Sequence, residues 1–222
     1  MKKWLMVVLV GGVVVAAAVV MSARKPRPSG EPGKVPPAPD APRAELMARP
    51  TGAGPYVAFH HEGAALPLTF EYPQNWKAGL EEGRAAPYRQ VIILGPRNTL
   101  DTYSTSLVVR ELRTRLEGGS YESAEALVER RRTQFAKADD FALLKDEPAS
   151  VEGAKARELE FEYTARLPHP RSTPRLTTVK TRLVVAEHGG RLYELSYSAD
   201  RQDYDRYRTV FGHLLDSVHF LP

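Results

Sequence analysis

From Thr177 to Pro222 the apolar positions change period, and the change marks out successive elements. Val179, Thr181, Leu183 and Val185 recur at every second position, the repeat of one face of a strand. His188-Gly189-Gly190 interrupts the run, and glycine's access to positive φ makes this a hairpin turn. The return strand places Tyr193, Leu195 and Tyr197 on one face and Leu192, Glu194 and Ser196 on the other. Asp200 is placed to cap a helix predicted over Gln202–Ser217, where Tyr204, Tyr207, Phe211, Leu214, Leu215 and Val218 fall three or four apart. Such a stripe must lie on the sheet. His219-Phe220-Leu221 closes the chain as a short strand.

The same reading carries upstream. Tyr56–Phe59 and Leu66–Tyr72 read as strands, the second with Pro67 at its start as an edge signal. Pro73-Gln74-Asn75-Trp76 reads as a turn presenting an aromatic. Arg89–Leu94, ended by Gly95-Pro96, and Thr105–Leu112 are further strands around an exposed loop at 97–104. Ser123 caps a helix to Lys137 that buries Leu127, Val128, Phe135 and Ala138. Its consecutive Arg130, Arg131 and Arg132 spread around the circumference and read as a solvated face. Phe141–Lys145 is a fifth strand, Val151-Glu152-Gly153 a turn, and Ala156–Ala165 a sixth strand. That strand turns Leu159, Phe161 and Tyr163 inward and Glu158, Glu160 and Glu162 toward water. A stiff loop follows from Leu167 to Pro174. Seven to nine strands, mostly antiparallel, and two helices give an α+β domain over 55–222: an antiparallel sheet flanked by helices.

The first 54 residues obey a different pattern. Lys2 and Lys3 precede an uncharged run of eighteen residues, Trp4–Met21, and Arg24, Lys25 and Arg27 follow. Ala16-Ala17-Ala18 would suit a cleaved signal peptide. The length suits an uncleaved transmembrane helix, and we favour that reading over residues 1–23. Either way the domain is exported. The expected place is a bacterial inner membrane, crossed once, with the domain facing the periplasm or exterior. Residues 24–54 are proline-rich, keep no apolar period, and read as a disordered linker that holds the domain away from the bilayer.

Charge follows this division. Residues 1–54 hold eight Lys/Arg against three Asp/Glu, and residues 55–222 hold 23 against 24. The overall +4 therefore belongs to the tail, and nucleic-acid binding by the domain is not expected. The absence of cysteine excludes disulfides, thiolate metal sites, cysteine nucleophiles and a lipidated cysteine.

Nucleophile-elbow, phosphate-loop, dinucleotide and zinc-protease patterns are missing. His60 and Glu62 would share one strand face and could hold a metal only with a third ligand. His188 falls in a turn, and His213 lies among polar neighbours on the last helix. No catalytic residue, cofactor or metal is assigned.

Two stretches carry a family likeness. Phe70-Glu71-Tyr72-Pro73-Gln74-Asn75-Trp76 resembles the opening aromatic-x-Tyr-Pro-x-x-Trp of PsbP-like domains. Tyr193–Ala199, then Tyr204, Phe211 and Ser217-Val218-His219-Phe220, resembles their closing strand, helix and Ser-x-x-Phe. The likeness spans residues 56–222 and implies an α/β/α sandwich. It also implies a protein that binds or helps assemble protein partners without a catalytic constellation, as in photosystem-associated proteins and a Ran-binding import factor. Tyr72 and Trp76 are the candidate partner-binding residues. The expected function is a membrane-tethered binding or assembly domain for an envelope protein partner. The alternative is an exported small-molecule, lipid or metal-binding domain, with a pocket lined by Trp76 or a His60/Glu62 site.

Overall fold

Where the alternation of apolar residues is strongest, the structure places the middle of a seven-stranded sheet. The structure is a computed structural model describing residues 54–59, 66–82, 88–169 and 172–221. The apolar run Trp4–Met21, the proline-rich segment, His60 and Glu62 lie outside the described residues. Within them, no helix is long and apolar enough to cross a membrane.

The elements in chain order are β1 (Tyr56–Ala58), β2 (Leu68–Thr69), β3 (Glu71–Pro73), β4 (Lys77–Glu82), β5 (Tyr88–Arg97) and β6 (Ser104–Arg113). There follow α1 (Ala124–Phe135), β7 (Asp139–Val151), β8 (Ala154–His169), β9 (Ser172–His188), β10 (Arg191–Asp200), α2 (Tyr204–Asp216) and β11 (His219–Phe220). The large sheet runs β4-β5-β6-β10-β9-β8-β7, every pairing antiparallel. Within this sheet, β6–β10 is the pairing that joins strands distant in sequence. Two small pairs, β1–β3 and β2–β11, complete the domain.

Alternation along β10 assigns the two faces. Tyr193, Leu195 and Tyr197 meet α2, whose Tyr204, Tyr207, Phe211 and Leu214 are buried. Glu194 faces the other way and reaches α1. The helices therefore cover opposite faces, which gives the expected sandwich. Ser123 caps α1 as predicted, its side chain accepting from the Ala126 N–H at 3.2 Å.

Several boundaries differ from the pattern reading. The strand at Phe141–Lys145 extends to thirteen residues, and β8 and β9 run to sixteen and seventeen. Of the expected loop 167–174, residues 167–169 belong to β8 and 172–174 to β9, while 170–171 lie outside the described residues. Proline and polar content suggested a loop there, but pairing to β8's neighbour strand continues the ladder through Leu167↔Arg175. β5 likewise passes through Gly95-Pro96 with a register shift rather than stopping. β4 was not predicted at all, because Lys-Ala-Gly-Leu-Glu-Glu has neither strand propensity nor clear alternation and is held by the sheet edge.

Asp200 does not cap α2. The helix begins at Tyr204 after Asp203, which makes no side-chain cap. The Asp200 carboxylate instead accepts from the Gln202 N–H at 3.0 Å and from Asn98 Nδ2 at 2.7 Å. The turn Glu152-Gly153 matches its prediction: both residues have positive φ, 48° and 77°, as a two-residue hairpin of this twist requires.

One prediction follows from the α2 face. Tyr197 donates its hydroxyl to the Tyr204 carbonyl at 2.6 Å, whereas the buried Tyr204 hydroxyl has no partner among the described residues. Burial without a partner costs free energy. Tyr204→Phe is therefore expected to leave thermal stability unchanged or raise it, while Tyr197→Phe lowers it by about 1 kcal/mol. Paired melting curves check the difference in sign.

Candidate functional site

The charged groups that join one element to another are the natural place to look for chemistry, and three of their clusters are informative. The first lies under α1. Glu194 accepts from Arg110 Nη1 at 3.1 Å and from Arg131 Nε at 2.8 Å and Nη2 at 2.7 Å. Arg110 Nε also donates to Gln90 Oε1 at 2.8 Å, and Arg131 Nη1 to Gln134 Oε1 at 3.1 Å. All three charged side chains are at most 7% exposed. The expected solvated face of α1 is corrected here: Arg130 and Arg132 are exposed, but Arg131 points into the sheet. It does so because Glu194, a buried acid on the α1 face of β10, demands a cation. The triad joins α1, β6 and β10.

The second cluster is the acidic face of β8, expected to meet water. The register puts Glu158, Glu160 and Glu162 on the α2 side, opposite cations rather than solvent. Glu158 is buried and takes Arg182 through both its oxygens, at 2.8 and 2.9 Å, and Lys145 at 3.1 Å. Burial works against its charge, but the hydrogen bonds from Arg182 and Lys145 outweigh that and hold its carboxyl below the ordinary range. Glu160 pairs with Lys180 at 2.6 Å and Glu162 with Arg201 at 3.5 Å. Lys180 lies 4.4 Å above the Tyr204 ring and Arg182 5.4 Å from that of Phe211, so the ladder joins the sheet to α2.

The third lies where α2 meets the β1–β3 pair. His213 Nε2 is 2.8 Å from Glu71 Oε2, and its ring stacks on Tyr56 at 3.6 Å. The Glu71 N–H donates to Ser217 Oγ at 2.9 Å. Glutamate, histidine and serine together suggest a nucleophile, but the wiring is wrong for one. Ser217 spends its proton on the Leu214 carbonyl at 3.0 Å, and His213 is turned to Glu71 rather than to Ser217. The cluster latches the β1–β3 pair to α2.

The two predicted partner-binding residues part company. Trp76 is 5% exposed, edge-on to Tyr207 at 5.9 Å, and its ring occupies the space beside Gly95. It is core and presents no surface to a partner. Tyr72 is half-buried against Phe59 at 6.4 Å and keeps an accessible side. Among the described residues no group of three histidines or carboxylates could hold a metal ion.

Sequence reasoning missed a fourth feature, a clamp on the C-terminal strand. The Glu152 carboxylate accepts the Phe220 N–H at 2.6 Å and lies 2.9 Å from His219 Nδ1. His188 stacks on Phe220 at 4.5 Å, with Tyr193 at 4.8 Å. The Phe220 N–H first, and His219 next, hold the Glu152 carboxyl below the ordinary range. A depressed folded-state value means the clamp is present above the ordinary carboxylate pKa and is lost as pH falls through the folded one. Amide protection at Phe220 should therefore drop in acid, and Glu152→Gln should lower it already at neutral pH, as read by hydrogen exchange.

The PsbP family profile matches residues 67–220. No curated protein sequence matches the chain. Among solved structures, LpqN, described as involved in cell envelope biogenesis of Mycobacterium tuberculosis, is similar at 16% identity with a TM-score of 0.48 over 76% of this chain and 91% of that one. Cyanobacterial PsbP from Synechocystis is similar at 17% identity and a TM-score of 0.43 over 76% and 94%. A Ran-binding protein of Saccharomyces cerevisiae is similar at 10% identity and 0.47 over 76% and 96%.

Proposed function

The chain belongs to the PsbP family, and from that premise we propose that it is a membrane-tethered, extracytoplasmic domain that recognises a protein partner in the cell envelope without catalysing a reaction. The observation that carries this reading is the use of the interior charges. Glu158, Glu194, Arg131 and Arg182 each tie one element to another, so they serve the scaffold rather than a reacting molecule. Recognition then falls to the surface, where Tyr72 keeps an accessible side. The tether rests on the apolar run Trp4–Met21 and the proline-rich segment after it. At ~3.1 Å per residue, about thirty residues could hold the domain up to ~90 Å from the bilayer.

Crosslinking the tagged full-length protein in native membranes, followed by mass spectrometry, tests the reading. A discrete heteromeric adduct with one envelope protein is the expected result, and an adduct-free monomer contradicts it. Intact mass from the same membranes tests the anchor: a chain retaining Met1 or Lys2 supports it, and a form starting near Val19 or Ala23 overturns it.

A further inference from the structure

Beyond the sheet, β8 and β9 continue as a two-stranded arm. β7 pairs with β8 only as far as Thr164, and β10 with β9 only as far as Val179, whereas β8 and β9 stay paired through Leu167↔Arg175 and His169↔Ser172. About five residues at ~3.3 Å each make this a projection of roughly 17 Å. Its root is braced. Thr177 is buried and its Oγ1 is 3.1 Å from Thr102 Oγ1, while the Arg201 N–H donates to the Thr178 carbonyl at 2.9 Å. The neighbouring loop is itself fixed by Asn98, which receives the Thr102 and Tyr103 N–H groups and donates to Asp200.

The arm's composition is one-sided. From Tyr163 to Ala186 there is no Asp or Glu and there are five Lys or Arg. Lys180 and Arg182 are spent in the ladder under α2. Arg166 and Arg175 are exposed and carry no ion pair among the described residues. The register puts Arg166 beside Leu176 on one face and Arg175 beside Leu167 on the other. Leu176 is 58% exposed, a high value for a leucine in a strand.

We infer that this arm docks an acidic protein surface, Arg166 and Arg175 each offering a carboxylate paired hydrogen-bond donors from its own face of the ribbon and Leu176 filling an apolar spot beside Arg166. The inference rests on the partner-binding reading above and names where and what kind of surface the partner presents. Addition of a partner strand is not the mode, since Pro168 and Pro174 lack the N–H groups such a ladder needs. A membrane surface fits less well: Pro168 to Pro174 holds no large apolar side chain, so the end of the arm has nothing to insert. Nucleic acid would require a basic patch on one face, whereas Arg166 and Arg175 lie on opposite faces of the arm in a domain with 23 Lys/Arg against 24 Asp/Glu over residues 55–222. The braced root lowers the ordering cost of binding.

The test places a photoreactive amino acid at position 176 of the full-length protein in native membranes, with a second version at the fully exposed Leu116 as comparison. The inference expects a protein adduct from position 176 whose crosslinked peptide is rich in Asp and Glu. It also expects adduct yield to fall by about tenfold or more in the Arg166→Glu/Arg175→Glu variant. The milder Arg166→Gln/Arg175→Gln pair must lower it in the same direction, at unchanged melting temperature. Adducts from position 116 but not 176, a peptide without acidic residues, or a yield indifferent to the charge changes each overturn the arm while leaving partner binding intact. Binding of the protein to phosphatidylglycerol vesicles that the charge reversal abolishes would assign the arm to the membrane instead. No adduct from either position counts against partner binding itself.

Discussion

Glu194→Ala is expected to destabilise the domain by about 3–5 kcal/mol, the largest effect of any single substitution considered for this protein. The change removes the one carboxylate that Arg110 and Arg131 share beneath α1, at positions with at most 7% exposure. Two guanidiniums then remain in a desolvated site without the carboxylate they share. Arg131→Met leaves Glu194 its bond from Arg110 and should cost less. For a domain of this size the Glu194→Ala loss corresponds to roughly 6–20 °C in melting temperature. Because α1 is pinned to β10 through Arg131, its amides should lose exchange protection before those of β5 and β6. A replacement of all three groups by apolar residues of similar volume should recover most of the stability, since desolvation had offset much of what the ion pairs contribute. If Glu194→Ala melted with the parent protein, the triad would have no structural role.

Gly95→Ala is the second large effect, at about 1–3 kcal/mol. A Cβ at this position would sit 2.7 Å from the ring of Trp76, which is buried and edge-on to Tyr207, so one of them must shift. Trp76 and Trp4 are the two tryptophans of the chain, so fluorescence of a variant lacking Trp4 reads this site alone. A red shift with a lower melting temperature is expected. An unchanged spectrum and melting point would mean that the ring can move aside.

These two sites show how far the amino-acid pattern alone reaches. Strict alternation located β10 and β9 because each has one face on a helix and tolerates no slip in register. The α2 stripe was equally plain, since six apolar residues at helical spacing admit one packing. By contrast, Glu194 alternated correctly, but its spacing did not mark it as a buried charge. Sequence gives no sign that Arg131, more than sixty positions away, supplies its counter-charge. The β8 glutamates misled in the same way, because Lys145, Lys180 and Arg182 come from neighbouring strands. Trp76 was legible as a fold residue of its motif, but its packing against Gly95 was not, because the strand was expected to end at Gly95-Pro96 and instead continues with a register shift. β4 carried no pattern at all, as an edge strand held by its partner need not.

The most direct test of the central claim, that the folded domain and not its tail recognises the partner, is crosslinking in native membranes after deletion of residues 24–54. The variant keeps the N-terminal run and joins it to the domain. An undiminished adduct with the same envelope protein is the predicted result. Loss of the adduct, with the domain still folded by its melting curve, would place recognition in the proline-rich segment and contradict the account.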